Sequence, residues 1–106
     1  MVRVRLIGGN MPIANVSRFK IGRADAARVA RSAAPIFKGK GVTTVQMGFC
    51  YSGPHTGEII ITLTYPDWTT FAKVTEELQQ DKDYQRLFAE VSGSLLDRSI
   101  MIVEDF

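Results

Sequence analysis

From Val42 to Tyr65 the chain alternates large apolar side chains with small or polar ones in two runs, separated by Ser52-Gly53-Pro54-His55-Thr56-Gly57. Strand side chains point alternately to opposite faces, and two β-rich runs around a cluster of breakers predict a hairpin. One face of it carries Val45, Met47, Phe49, Tyr51, Ile59, Ile61, Leu63 and Tyr65. The other carries Thr44, Gln46, Gly48, Cys50, Glu58, Ile60, Thr62 and Thr64. The first face is expected to pack against the core, each fully buried side chain contributing about 1.5–3 kcal/mol gross. The second is small and mostly polar, and it raises the functional question.

The same reading extends along the chain. Val2, Val4 and Leu6 alternate with Arg3, Arg5 and Ile7, a short strand or arm that Gly8-Gly9-Asn10 and Pro12 break. Residues 13–21 resume a strand, which ends at Gly22. From Asp25 the period changes: Ala26, Val29, Ala30 and Ala33, extended by Ile36 and Phe37, follow helical spacing. Pro35 is expected to kink this helix or tighten its last turn, and Gly39-Lys40-Gly41 to stop it. After the hairpin, Asp67 caps a second helix with the stripe Phe71, Val74, Thr75 and Leu78. Asp81-Lys82-Asp83 interrupts it, and Asp83 can cap a further helix carrying Tyr84, Leu87, Phe88 and Val91. Ser92-Gly93-Ser94 closes that helix, and Asp97 to Glu104 reads as the last strand.

The order β-α-β-β-α(α)-β is the ferredoxin-like pattern. The predicted fold class is therefore α+β: an antiparallel sheet with helices on one face, in a single domain over 1–106 with 1–12 as a strand or arm. Such a sheet leaves its other face uncovered in a monomer. Gln46, Thr62 and Thr64 tolerate water there, whereas Cys50, Ile60, Met101 and Val103 prefer cover. Two sheets stacked face to face would close a barrel, so a homodimer with a partly polar interior is expected.

Composition sets limits. At 106 residues, 45% hydrophobic and 23% charged, the chain is one ordinary globular domain rather than a disordered one. No apolar run reaches membrane-spanning length, and none near the N-terminus makes a signal peptide, so no membrane and a cytoplasmic location are expected. A single cysteine excludes an internal disulfide and a cysteine-cluster metal site. No His/Cys/Asp/Glu group has metal-ligand spacing, and neither a Gly-x-Gly-x-x-Gly run nor a P-loop occurs.

Charge is unevenly divided. Residues 1–41 hold nine Lys/Arg and one acid, Asp25; residues 42–106 hold four Lys/Arg and ten acids. The basic half is either a surface for an anionic ligand or nucleic acid, or one side of a self-neutralising pair of elements. An RNA-recognition motif needs stacking aromatics on its third strand. Here that strand is Glu-Ile-Ile-Ile-Thr-Leu-Thr-Tyr, so no nucleic acid is expected.

The element order, the split second helix, Tyr65-Pro66-Asp67-Trp68 entering it and Asp81-Lys82-Asp83-Tyr84 at its break together resemble the dimeric α+β-barrel superfamily. Its members include antibiotic-biosynthesis-monooxygenase-like, EthD-like and NIPSNAP-like proteins. The resemblance covers about residues 13–104. It implies a dimeric α+β barrel, with ligands bound between sheet and helices or within the barrel. It is a likeness of order and punctuation rather than of a catalytic signature. Activities in the superfamily range from cofactor-independent monooxygenases through haem-degrading enzymes to members with no known activity. Haem ligation there uses a histidine on the helical segment. Residues 67–92 contain none, so no cofactor is expected.

Several residues carry candidate chemistry. His55, the only histidine, sits in the hairpin turn, where it is either a general base at a cleft mouth or an exposed turn residue. Tyr51 and Tyr65 lie on the apolar hairpin face near strand ends, where a phenol can polarise a carbonyl. Trp68 either walls an aromatic-substrate cleft or packs the first turn of its helix. Gln46, Cys50, Thr62 and Thr64, with Arg18 and Asn15, are expected to line the uncovered sheet face. Their buried polar atoms need partners, which are either a polar ligand or one another across a dimer axis. Cys50 as a nucleophile would need a neighbouring base, and none is identifiable.

Two functional expectations follow. One is a cofactor-independent monooxygenase-like enzyme acting on a small organic molecule. His55 or Tyr51 would be base or polariser, Gln46 and Arg18 would donate to an oxyanion, and Trp68 would form a wall. The other is a non-catalytic ligand-binding or structural homodimer. A regulatory domain of the ACT type shares the order, but the break at Asp81–Asp83 argues against it.

Overall fold

A computed structural model describes residues 11–106, so the alternating segment 2–7 lies outside the described residues. The elements run β1 (Ile13–Phe19), α1 (Arg23–Lys40), β2 (Thr44–Phe49), β3 (Ile59–Tyr65), α2 (Trp68–Leu78), α3 (Lys82–Val91), a 3-10 turn (Ser92–Ser94) and β4 (Leu95–Ile102). The four strands form one sheet in the order β2-β3-β1-β4, antiparallel throughout. This is the α+β ferredoxin-like arrangement, with the three helices on one face.

Register fixes which side chains share a face. Ile13, Asn15, Ser17 and Phe19 of β1 stand opposite Tyr65, Leu63, Ile61 and Ile59 of β3, all toward the helices. On β4 the same face takes Ile102, Ile100 and Arg98, opposite Ile13, Asn15 and Ser17. On β2 it takes Val45, Met47 and Phe49. The hairpin alternation is as the sequence predicts, but burial is not uniform. Ile59, Leu63 and Tyr65 are buried, whereas Met47 is 38% exposed, Phe49 44% and Tyr51 88%. The cause is strand order. β3 and β1 are central and lie under the helices, while β2 is an edge strand whose far end runs out from under them. Tyr51 lies beyond β2, in the loop. The Arg23 guanidinium sits 5.1 Å from the centre of the Phe49 ring and partly covers it.

Two apolar clusters flank a shared middle. Ile13, Phe37, Val42, Leu63, Tyr65, Val74 and Leu78 form one under α1 and α2. Phe19, Ala26, Val29, Ile59 and Val91 form the other under α1 and α3. Ile61 and Leu87 touch both. The buried face of α1 is mostly alanine, which lets the helix approach the sheet closely. The helix runs through Pro35 to Lys40. It ends at Gly41, whose φ of 121° is a conformation that side-chain-bearing residues rarely adopt. A Cβ there would also come within 3.0 Å of Thr70 Cγ2.

The helix caps match the sequence at one site and shift at another. Asp67 caps α2, accepting from the Thr70 amide at 2.7 Å. α3 is capped by Asp81, not Asp83: Asp81 accepts from the Tyr84 amide at 2.9 Å, so the helix starts two residues earlier. Asp81 also pairs with Lys40 Nζ at 2.8 Å, tying the end of α1 to the start of α3. The last strand likewise begins at Leu95 rather than Asp97. The basic and acidic halves neutralise each other across elements, through Arg18 with Glu58 and Asp97, Arg28 with Glu90, and Lys40 with Asp81.

Lys40, and after it the Tyr84 amide, hold the Asp81 carboxyl below the usual carboxylate range. A group whose folded pKa is depressed stabilises above its unfolded value, and that stabilisation is lost as pH falls through the folded one. Asp81→Ala is therefore expected to lower the melting temperature at pH 7. The difference from wild type should shrink once the pH drops below about 4, the ordinary aspartate value. Circular-dichroism melts at pH 7 and pH 2.5 check this; an unchanged difference at both would mean the carboxylate charge contributes nothing.

Candidate functional site

Between the helices and the sheet lies a cavity of about 240 Å³. Its walls are apolar side chains of both clusters, with Ala30 and Ala33 from α1, Leu87 and Phe88 from α3, and Ile59, Ile61 and Leu63 from β3. Polar groups enter from particular places. β1 contributes Asn15 and Ser17, β4 Arg98, α2 and the residue after it Thr75 and Gln79, α3 Tyr84 and Gln85, and the end of β3 Tyr65. The small alanine face of α1 leaves this space, because larger residues there would fill it.

The polar groups are linked. Arg98 Nε donates to Ser17 Oγ at 3.2 Å, and the Ser17 hydroxyl lies 3.5 Å from Asn15 Oδ1. Ser17 is buried, and its only apparent cost is met by these contacts. The Arg98 guanidinium stands 5.9 Å from the centre of the Phe88 ring. That ring stacks on Tyr84 at 5.8 Å with 9° between planes, and Tyr84 meets Phe37 edge-on at 5.4 Å. Tyr65 meets Phe71 edge-on at 5.1 Å. Burial pushes both the Tyr65 and the Tyr84 phenols up, and the positive field of Arg98 acts against that rise in each. Both phenols are therefore neutral hydrogen-bonding groups near neutral pH. Among the described residues, the titratable side chains lining the cavity are these two and Arg98.

The opposite, outer sheet face brings together a different set. Arg18 Nη1 donates to Glu58 Oε1 at 2.5 Å, and Arg18 Nη2 to Asp97 Oδ2 at 2.6 Å. The same Nη1 lies 3.0 Å from His55 Nδ1. Arginine only donates, so Nδ1 is the acceptor and the ring proton is assigned to Nε2. The 3.4 Å approach of Nδ1 to Glu58 then reflects two acceptors around one donor. Asp97 is held below the usual carboxylate range by the hydrogen bond from Arg18 and then by its charge. Arg18 is thus occupied by two carboxylates. Further along, Gln46 pairs in register with Thr62, and Gly48 with Ile60.

The residues singled out from the sequence fall as follows. His55 and Arg18 meet on the outer face, and Gln46 and Thr62 are neighbours there. Cys50, just past β2, points its Sγ at the Ser52 carbonyl at 3.4 Å. Tyr51 projects from the hairpin loop. Trp68, 38% exposed, packs edge-on against Phe71 at 5.6 Å. None of these seven lines the helix–sheet cavity, whereas Tyr65, singled out with Tyr51 as a phenol, does. Asn15 was expected on the outer face with Arg18, but an odd number of residues separates faces on a strand. Asn15 accordingly shares the helix face with Ile13 and Ser17. Ser17 and Arg98 were not singled out, and Tyr84 was read as part of its helix's packing stripe. The signal for Arg98 was present, because it alternates in step with Ile100 and Ile102, which puts a charge at an apolar-face position.

Among the described residues no helix is long and apolar enough to cross a membrane, and no group of three or more His, Cys, Asp or Glu is placed to hold a metal ion.

Comparison with known proteins finds the same fold in several solved structures. SnoaB, a cofactor-independent oxygenase from Streptomyces nogalater, superposes with a TM-score of 0.67 at 11% identity, over 90% of this chain and 95% of that one. A NIPSNAP family protein of unknown function from Agrobacterium tumefaciens gives 0.65 at 10% identity, over 89% and 87%. A dimeric ferredoxin-like protein from an uncultured marine organism gives 0.65 at 15% identity, over 87% and 94%. Identities this low show the fold alone. No curated protein matches the chain. Residues 12–103 match the family described as a domain of unknown function (DUF6854), and the chain belongs to that family.

Proposed function

We propose that this protein binds a small, largely apolar organic molecule in the helix–sheet cavity and oxidises it with dioxygen, without a cofactor. The observation that carries the reading is the cavity itself: apolar and aromatic walls with a few convergent polar groups, Asn15, Ser17, Arg98 and two neutral phenols. That is the usual composition of a small-molecule site. At about 240 Å³ it is below the range of roughly 300–1,000 Å³ for drug-sized ligands, which favours a compact, ring-shaped substrate. The likeness of fold to a cofactor-independent oxygenase supports the reaction class by analogy.

In that reaction the substrate supplies all the electrons. An acidic methylene beside a carbonyl, or conjugated with one across an aromatic ring system, ionises, and its enolate reduces dioxygen. The methylene becomes a second carbonyl holding one oxygen atom, and the two hydrogens leave with the other as water. The cavity would contribute desolvation, a flat slot for the ring system, and donors to the enolate oxygen from Arg98 and the phenols.

The outer face supports a homodimer. Val16, Ile60 and Met101 lie on it beside Thr62 and Thr64, an apolar and small-polar surface suited to a second copy, and one structural neighbour is dimeric. His55, Arg18, Gln46, Cys50 and Thr62 would then face the interior of the barrel rather than the proposed substrate.

A second reading has a specific observation behind it. The cavity lining contains no carboxylate or histidine to act as base, which favours a binding protein without chemistry. Anthrone, whose central methylene is acidic, separates the two. The wild type is expected to bind anthrone and to consume one dioxygen for each anthraquinone formed. Ala30→Phe, which fills the cavity from α1, is expected to abolish both. Binding without oxygen uptake would leave the non-catalytic reading standing. Binding that survives Ala30→Phe would mean the cavity is not the site.

A further inference from the structure

We infer that the cavity takes its ligand as an anion, a small aromatic molecule carrying one negatively charged oxygen, and that Arg98, oriented by Ser17, is the residue that selects for this charge. The inference rests on the binding reading above and adds the ligand's charge class to it.

The argument starts from how the arginines are paired. Arg18 and Arg98 lie on adjacent strands of the sheet but on opposite faces. Arg18 is neutralised twice, by Glu58 and Asp97. Arg98 has no carboxylate within 4.0 Å among the described residues, and residues 1–10 contain neither Asp nor Glu. This is the more telling because residues 42–106 are rich in acids. The neighbouring Asp97 does not serve, because strand alternation sends it to the other face, where it holds Arg18.

The side chain is nevertheless held in place. Its Nε donates to the buried Ser17 hydroxyl at 3.2 Å, and its guanidinium lies over the Phe88 ring at 5.9 Å. Using Nε for this bond leaves the two terminal nitrogens as a fork, the geometry that binds a carboxylate or other oxyanion in bidentate fashion. The neighbouring phenols are neutral and cannot balance the charge. Arg98 is an exposed residue, and one oriented cation with no carboxylate partner among the described residues, set beside an apolar slot, matches a ligand with a flat apolar body and one anionic oxygen. The lack of a base in the lining agrees with this, since a ligand that arrives ionised needs none.

The test uses the full-length protein, 2-naphthoate and its neutral isostere 2-naphthamide, with binding measured by titration calorimetry. Wild type is expected to bind the carboxylate about tenfold more tightly than the amide, in the range of a charge-assisted hydrogen bond, and the preference should fall as salt is raised. Arg98→Gln is expected to bring the two affinities together, and Arg98→Lys to keep part of the preference. Ser17→Ala, which frees Arg98 from its orienting contact, is expected to reduce the ratio of carboxylate to amide affinity. Equal affinity of wild type for the two probes would overturn the charge inference and leave the cavity reading intact. A preference that survives Arg98→Gln would overturn the role of Arg98. Binding of neither probe would overturn both readings. The comparison of the two probes on wild type needs no variant to fold.

Discussion

Tyr65→Ala is expected to cost about 3–5 kcal/mol of folding stability, the range for truncating a buried aromatic side chain. The side chain is 1% exposed and belongs to the cluster shared by β1, α1 and α2. Its ring meets Phe71 edge-on, and Phe71 in turn meets Trp68, so the truncation loosens the start of α2 as well as the sheet. It also opens a wall that already borders a cavity, so the void left behind joins existing empty space. Against a total stability of about 5–15 kcal/mol for an ordinary domain, the loss leaves little margin. Tyr65→Phe keeps the ring and should lose far less. Urea denaturation of the three proteins checks this; a cost below about 1 kcal/mol for the alanine variant would mean the ring is not packed as described.

The second large effect separates the two faces of the sheet. Ile59→Ala is expected to cost about 2–5 kcal/mol, because Ile59 is fully buried among Phe19, Ala26, Val29 and Val91. Its neighbour Ile60 points the other way, opposite Gly48 on β2 and Arg18 on β1, and is half-buried. Ile60→Ala should cost much less. Ile60→Asp places a charge on the outer face and is expected to leave the fold intact while making the protein run as a monomer in light scattering. Equal costs for Ile59→Ala and Ile60→Ala would contradict the alternation on which the whole sheet is described. A wild type that is itself monomeric at micromolar concentration would remove the proposed homodimer.

Most of the scaffold was legible in local sequence. The change from a two-residue to a helical period near Asp25, Asp67 before Trp68, and the break at Asp81–Asp83 each arise from backbone chemistry over a few residues. Choosing between Asp81 and Asp83 as the cap was not legible. Both flank Lys82 with the right side chain, and the pairing of Asp81 with Lys40, forty-one positions earlier, favours the first. The candidate site was less legible. Sequence reading was drawn to His55, Trp68 and the polar outer face, because unusual residue types and unpaired polar positions stand out there. The cavity instead gathers ordinary residues: an alanine face on α1, a serine on β1, an arginine in step with isoleucines on β4.

By itself the sequence determined the order of the elements, the split of the second helix and which side chains share a strand face, since all of these follow from spacing along the chain. Tertiary structure alone decided how far each face is buried. Strand order places β3 and β1 under the helices and β2 at the edge, and that order is set by packing over long separations that no local pattern encodes. Tertiary structure also decided which charges are answered. Glu58, just before β3, and Asp97 on β4 converge on Arg18, whereas Arg98, on the opposite face of the same sheet, meets Ser17 and Phe88 and no carboxylate among the described residues.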